Sequence, residues 1–271
     1  MPELPEVENT RRNLVRAGLP GCTITSANIT WANTVKKPSS AELAEGLKGR
    51  TVQDVQLRGK YLIFPLSGGD PATFIVHLGM TGRLQVHPQS QEPHPMTRHS
   101  FPLDDGRELR FVDGRKFGKL WLVDSPDEVL PALSPEPFDD AFTVETLAES
   151  FAGRKAPVKA LLLEQSVVSG LGNLYADESL FLAGIHPERP SSGLSTDEIA
   201  RLRKAIIDAL TAAYGVYDRA RDQHWPDDPP TALTTWSHPR DVKTPCPNCG
   251  THMASIRVRA RGTYFCPKCQ V

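Results

Sequence analysis

The chain has 271 residues, 39% hydrophobic and 23% charged, an ordinary soluble composition that suits one large domain or two smaller ones with separate cores. No run of 18 apolar residues occurs, which excludes a membrane-spanning helix, and the opening Met1-Pro-Glu-Leu-Pro-Glu6 lacks the basic and apolar regions of a signal peptide, so the expected location is the cytoplasm. A net charge of −1 argues, taken as an average, against a nucleic-acid partner.

A first helix is predicted from about Pro5 to Ala17: proline suits an opening position, Val7 and Leu14 share a face, and Gly18 is a good stop. From Thr23 to Val123 the pattern turns to short β-rich runs at 52–57, 61–66, 73–78, 83–87, 108–112 and 118–123. Gly59, Gly68-Gly69, Gly79, Gly82 and Asp105-Gly106 punctuate them. Short antiparallel strands at this spacing indicate a sandwich or an open barrel. The Pro-rich, acidic stretch 125–138 suits an interdomain connection. Helical periodicity comes next, at 157–165 and then at 174–183 ending on Gly184, with Ser169-Gly-Leu-Gly-Asn173 between the two. A third helix opens on a Ser195/Glu198 capping box and continues through Ile199, Leu202, Ile206, Ile207, Leu210 and Tyr214. Residues 215–239 read as irregular, with Asp227-Asp-Pro-Pro230 as a breaker. A cysteine module closes the chain.

Four of the five cysteines form that module, as Cys246-Pro-Asn-Cys249 and, after 16 intervening residues, Cys266-Pro-Lys-Cys269. Four thiolates satisfy tetrahedral Zn2+, and a closed four-cysteine site has no open position, so the ion is expected to be structural. Cys22 reads as a small buried apolar residue. The charges are segregated around this module. From Trp236 onward Arg240, Lys243, Arg257, Arg259, Arg261 and Lys268 stand against Asp241 alone, whereas 127–149 holds seven acids and no Lys or Arg. Strict alternation in Ile256-Arg-Val-Arg-Ala-Arg261 places Arg257, Arg259 and Arg261 on one strand face, with Arg261 beside a turn at Gly262. Three guanidinia along one edge suit phosphate oxygens, and a solvated strand face gives the same pattern.

Two further signals are weaker alone. Gln165 to Glu178 reads as two helices joined by a tight glycine turn, whose second helix offers free N–H groups to an anion. Asn173 can add a donor and Lys159 a cation there, although an ordinary helical hairpin looks the same. The start Met-Pro-Glu would leave Pro2 as a free secondary amine after removal of Met1, with an α-amino pKa of about 8. Such an amine attacks an aldehyde-level carbon to give a cationic iminium that favours elimination, and Glu3 could move protons beside it. Most Met-Pro-Glu starts carry no such chemistry.

Together these motifs resemble one family. The start Met1 to Glu8, His77-Leu-Gly-Met-Thr-Gly82, Asp113-Gly-Arg-Lys-Phe-Gly118, Gly170-Leu-Gly-Asn-Leu-Tyr-Ala176 and the four-cysteine module occur in the order of the formamidopyrimidine-DNA glycosylases of the Fpg/Nei family, over nearly the whole chain. The resemblance implies an α+β fold: an N-terminal catalytic β-sandwich with flanking helices at 1–133, a helical domain with a helix-two-turn-helix element at 134–235, and a zinc ribbon at 236–271. It implies a monomeric bacterial base-excision-repair enzyme, a bifunctional DNA glycosylase/AP lyase that removes oxidised purines from damaged double-stranded DNA by β,δ-elimination. Pro2 would attack C1′, Glu3 would serve as acid and base, Lys60 would contact DNA beside the lesion, and Arg261 would grip phosphates and aid the second elimination. Met80, Arg115 and Phe117 would fill the void left by the everted base. Asn173, Arg154 and Lys159 match backbone-phosphate contacts, and His99 the family's upstream histidine contact. The chain departs from the family pattern at 215–230, at Trp236-Ser-His-Pro-Arg240 and at 88–99, which bear on lesion choice. An endonuclease VIII-like enzyme for oxidised pyrimidines and a non-catalytic zinc-ribbon DNA-binding protein are the competing readings.

Overall fold

The opening helix α1 (Leu4–Arg16) has Glu3 as its N-cap, Pro5 in its first turn and Gly18, at φ +69°, just past its end. Val7 and Leu14 are buried, as the spacing predicts. The structure is a computed structural model that describes residues 1–219 and 239–271, and it divides between Pro131 and Ala132 into two compact units.

The first unit is a sandwich of two sheets. The larger has strand order β1 (Thr23–Ile24), β4 (Arg50–Val52), β6 (Tyr61–Ser67), β7 (Thr73–His77), β11 (Lys119–Val123) and β3 (Val35–Lys37), with β5 (Gln56–Arg58) also paired to β6. The smaller runs β2 (Asn28–Ile29), β9 (Thr97–Pro102), β10 (Arg107–Val112), β8 (Arg83–Pro88). Alternation sends Leu62, Phe64, Phe74, Val76, Leu120 and Leu122 from one sheet, and Leu84, Phe101, Leu109 and Phe111 from the other, into one core with α1 and with α2 (Ser40–Leu47). Phe74 meets Phe101 edge-on across the sheets, centroids 5.4 Å apart. The run expected at 52–57 is two strands, not one. β4 pairs with the far end of β6 (Val52 opposite Leu66) and β5 with its near end (Gln56 opposite Ile63), and the intervening bend is held by Asp54 Oδ1 accepting from Val55 N at 2.8 Å.

The second unit is helical: α3 (Val144–Phe151), α4 (Val158–Leu162), α5 (Asn173–Ala183) and α6 (Thr196–Arg219), closed by a hairpin of β12 (Ala254–Val258) and β13 (Arg261–Phe265). α5 is buried on every side from Tyr175 to Phe181, as befits the central rod of a bundle. The α6 capping box forms as the sequence signals, Ser195 N donating to Glu198 Oε2 at 2.8 Å and Glu198 N to Ser195 Oγ at 3.3 Å. The helix does not stop at Tyr214, however. It continues to Arg219, so the irregular stretch expected at 215–239 begins as helix, because Gly215 inside an otherwise periodic run costs only about 1 kcal/mol. The breaker at 227–230 and Trp236 lie outside the described residues. No helix among the described residues is long and apolar enough to cross a membrane.

Candidate functional site

In the first unit the chain start is fixed by α1. Pro2 is half-buried, and Glu3 beside it is 1% exposed with an extended N-cap backbone. Glu6 Oε2 accepts from Glu3 N at 2.8 Å, closing the first turn, and the helix N-terminus favours the negative charge of both carboxylates. Lys60 sits in the two-residue turn Gly59-Lys60 between β5 and β6, where Gly59 takes φ +59°. A lysine on a hairpin is ordinarily solvated; this one is 8% exposed. Near it His77 ends β7, its pKa pushed down to about 4 by burial and by the positive charges of Lys60 and Lys119. The neutral ring accepts from Gly79 N through Nδ1 at 3.1 Å and so shapes the 78–82 turn.

That turn and the 113–118 loop are joined by one carboxylate. Asp113 is fully buried. Its Oδ1 accepts from Thr81 Oγ1 at 2.6 Å and from Arg115 N at 3.1 Å, and its Oδ2 from Gly118 N at 2.8 Å. A Cβ on Gly79 would lie 2.5 Å from the Phe117 carbonyl, so the two tips touch backbone to backbone. The clamp brings together Met80, half-buried, Arg115, exposed, and Phe117, 51% exposed with the Arg115 guanidinium 5.1 Å from its ring centroid. Lys116 between them is left-handed, at φ 61°, with Nζ 3.6 Å from the Trp31 ring centroid. Sequence reading missed two members of this cluster. Asp113, opening Asp-Gly-Arg, carried an Asx-turn signal. Met96, 48% exposed, comes from the atypical 88–99 stretch and lies against Gly114, and no sequence signal links those two.

His99 corrects the sequence expectation. It lies on β9 and is 1% exposed, stacked on Phe111 with centroids 5.6 Å apart and bonded through Nε2 to Thr34 Oγ1 at 2.7 Å. Burial, then the charge of Arg98, pushes its pKa down to about 4. A ring sealed between sheet and loop presents nothing to a phosphate. Its neighbour Arg98, on the other face of the strand, donates Nε to the Asp113 carbonyl at 2.9 Å.

In the second unit Lys159 is also a correction. It is 0% exposed, with Nζ 2.6 Å from Asp177 Oδ1, 2.6 Å from Thr263 Oγ1 and 3.2 Å from the Gly262 carbonyl. An ammonium has three N–H groups, and three acceptors surround this one. Asn173 opens α5 and donates Nδ2 to the same Gly262 carbonyl at 3.2 Å. The turn ahead of it is tied by Gln165, which accepts from Gly170 N at 3.0 Å and donates to the Leu171 carbonyl at 2.9 Å. Arg154 is half-exposed and bound to Glu164 at 2.5 Å; the other oxygen of Glu164 holds Arg259 at 2.8 Å. Burial works to raise the Glu164 pKa, but the two guanidinia outweigh it and hold the carboxyl below its usual range.

The three arginines expected on one strand face are not on one strand. Arg257 lies on β12, Arg259 in the turn and Arg261 on β13, because Arg259 and Ala260 take φ 44° and 62° and form a two-residue hairpin turn. Cross-strand register puts Arg261 opposite Val258 and Arg257 opposite Gly262, so Arg257 and Arg261 occupy opposite faces of the ribbon. All three are exposed. Arg259 is committed to Glu164, whereas the Arg261 guanidinium has no hydrogen bond or ion pair among the described residues, which leaves it open to an incoming anion.

Cys246, Cys249, Cys266 and Cys269 place their sulfurs within 4.8 Å of one another, with Cys246 to Cys269 at 3.9 Å and Cys249 to Cys266 at 3.5 Å. Ligands at zinc–sulfur distance in a tetrahedron stand about 3.8 Å apart, so the residues fit one structural zinc. As thiols they perturb one another: hydrogen bonding from Thr251 draws Cys249 down to about 6, and Cys249 pushes Cys269 up to about 12. A divalent cation resolves that conflict by taking four thiolates at once. Phe181 of α5 packs against the cluster.

Three family models match the chain in sequence order: the formamidopyrimidine-DNA glycosylase N-terminal domain over 1–120, the formamidopyrimidine-DNA glycosylase H2TH domain over 133–220, and a zinc finger found in FPG and IleRS over 244–271. A formamidopyrimidine-DNA glycosylase from Desulfitobacterium hafniense is 40% identical over 282 residues, covering 100% of both chains. Among solved structures, the Fpg protein from Thermus thermophilus superposes with a TM-score of 0.85 at 36% identity, covering 99% of this chain and 98% of that one. The Fpg of Lactococcus lactis, in complex with a FAPY-dG-containing DNA, gives 0.85 at 32% identity, with 99% of each chain covered.

Proposed function

The chain belongs to the formamidopyrimidine-DNA glycosylase family, and from that premise we propose that it is a bifunctional DNA glycosylase/AP lyase acting on oxidised purines in duplex DNA. The observation that carries the reading is the full-length match to glycosylases, one of which holds a FAPY-dG-containing DNA. After removal of Met1, the Pro2 nitrogen attacks C1′ of the damaged nucleotide and the base departs with the bonding pair. The C1′–O4′ bond then opens, with the oxygen keeping the pair and taking a proton from Glu3; the resulting iminium acidifies the C2′–H, and successive β- and δ-eliminations expel the 3′ and then the 5′ phosphate. Glu3, buried beside Pro2, is the acid and base for the sugar oxygen and these protons.

Lys60, held in the buried turn between β5 and β6, assists elimination. Phe117, Met80 and Arg115 fill the space of the everted base: the exposed ring wedges between base pairs, and the guanidinium hydrogen-bonds the orphaned partner. Arg261 and Asn173 grip phosphates, and Arg154 contributes once it leaves Glu164. His99 and Lys159 take no part in contacting DNA in this reading.

Borohydride trapping on a duplex bearing 8-oxoguanine tests the proposal. Wild-type protein should form a covalent adduct, and Pro2→Gly should largely abolish it; undiminished trapping, or a mass spectrum showing Met1 retained in active enzyme, refutes the role of Pro2. Faster excision of thymine glycol than of 8-oxoguanine would assign the chain to oxidised pyrimidines.

A further inference from the structure

We propose that Lys159, Asp177 and Thr263 form a positioning device that holds Arg261 in register for a DNA phosphate, an inference that rests on the phosphate role proposed for Arg261. Lys159 and Asp177 are both fully buried, and their contact is 2.6 Å. The second Asp177 oxygen accepts from Arg240 at 2.8 Å and from Tyr264 N at 3.4 Å, and the Arg240 guanidinium lies 5.2 Å from the Tyr264 ring centroid. From this charged centre a chain of hydrogen bonds runs to the two peptide carbonyls that flank Gly262. Lys159 Nζ donates to Thr263 Oγ1, and Thr263 Oγ1 donates to the Arg261 carbonyl at 3.1 Å. Lys159 and Asn173 both donate to the Gly262 carbonyl.

Two considerations make this positioning rather than bulk stabilisation. Burying an ion pair carries a desolvation penalty that offsets much of its attraction, so such pairs are weak evidence of stability and better suited to fixing geometry. The hairpin also needs fixing. Its tip residues Arg259 and Ala260 occupy left-handed backbone without glycine or asparagine, and Arg261 comes directly after them. The guanidinium is uncommitted while the carbonyls at 261 and 262 are clamped, which is the arrangement of a side chain held ready for a ligand.

The test is a binding series at increasing salt, using a duplex with a tetrahydrofuran abasic analogue and reading the slope of log affinity against log salt. Arg261→Gln should lower the slope by about one, the signature of one lost phosphate contact. Lys159→Met and Thr263→Val should do the same while retaining one zinc per chain, and Arg261→Gln combined with Thr263→Val should be no weaker than Arg261→Gln alone. Thr263→Val keeps residue shape and leaves the Lys159–Asp177 pair intact, so it carries the test if Lys159→Met does not fold. The full Arg261→Gln loss persisting in the Thr263→Val background overturns the proposal, as does loss of zinc from both network variants, which would make the network a support of the ribbon alone. A wild-type slope for Arg261→Gln in the parent chain is a different failure: it removes the phosphate role of Arg261 itself, and the positioning role with it.

Discussion

Acidification should loosen the N-terminal unit through His99, and the size of the effect can be worked from its surroundings. The ring is buried, stacked on Phe111 and bonded to Thr34, with a pKa of about 4 against an ordinary 6.5. Between those values the unfolded chain takes up a proton that the folded chain refuses. Stability is therefore full above about pH 7 and falls progressively as pH drops toward 4. For one histidine with these two pKa values the loss between pH 7 and pH 5 is about 2 kcal/mol. His77, depressed to about 4 as well, adds a similar amount. His99→Gln cannot titrate, so its stability should fall about 2 kcal/mol less than wild type over the same interval. Urea unfolding at pH 7 and pH 5, followed by the fluorescence of Trp31 and Trp121 in that unit, measures the difference, and contributions from other groups cancel between the two proteins. Parallel pH profiles would refute the burial argument. A changed salt slope of DNA binding for His99→Gln at pH 7 would contradict its removal from the contact set.

Asp113→Ala strands the Thr81 hydroxyl and two backbone N–H groups that the carboxylate now satisfies, a loss of about 2–4 kcal/mol accompanied by weaker preference for lesion-bearing DNA; an unchanged melting temperature would contradict the clamp. Phe117→Ala removes a half-exposed ring, so stability should move by less than about 0.5 kcal/mol while the affinity ratio of abasic to undamaged duplex falls, and a preserved ratio argues against the wedge. Glu164→Gln frees Arg154 and Arg259 and should steepen the salt slope and tighten binding to undamaged DNA; an unchanged slope and affinity would place both arginines away from the duplex.

What could be read from the sequence was local. The opening helix, the Ser195/Glu198 box, the Gly184 stop and the paired cysteines each depend on residues within a few positions of one another, and each forms where expected. Strands β1, β2, β3 and β9 escaped notice because they are short or polar and owe their existence to partners far along the chain. α2 and α3 were legible in principle, with capping boxes at Ser39/Glu42 and Thr143/Thr146. The arginine alternation misled because it runs unbroken through a hairpin turn that lacks the usual glycine. Burial was the least visible property of all. His99 meets Thr34 across 65 residues and Lys159 meets Thr263 across 104, so a cation that read as a phosphate ligand is instead an internal strut.

α5 begins at Asn173, carries Asp177 at its middle and rests Phe181 on the cysteine cluster at its end. A single rigid rod thus links the cysteine cluster to the asparagine proposed to grip a phosphate. Thiolates are oxidised by the same reactive species that damage guanine, and each sulfur lost to sulfenate or disulfide would release the metal and slacken the rod at its far end. If its substrates are the oxidised purines proposed above, an enzyme of this design would falter under the stress that creates them, and its upkeep would depend on reductant and metal supply as much as on its own synthesis.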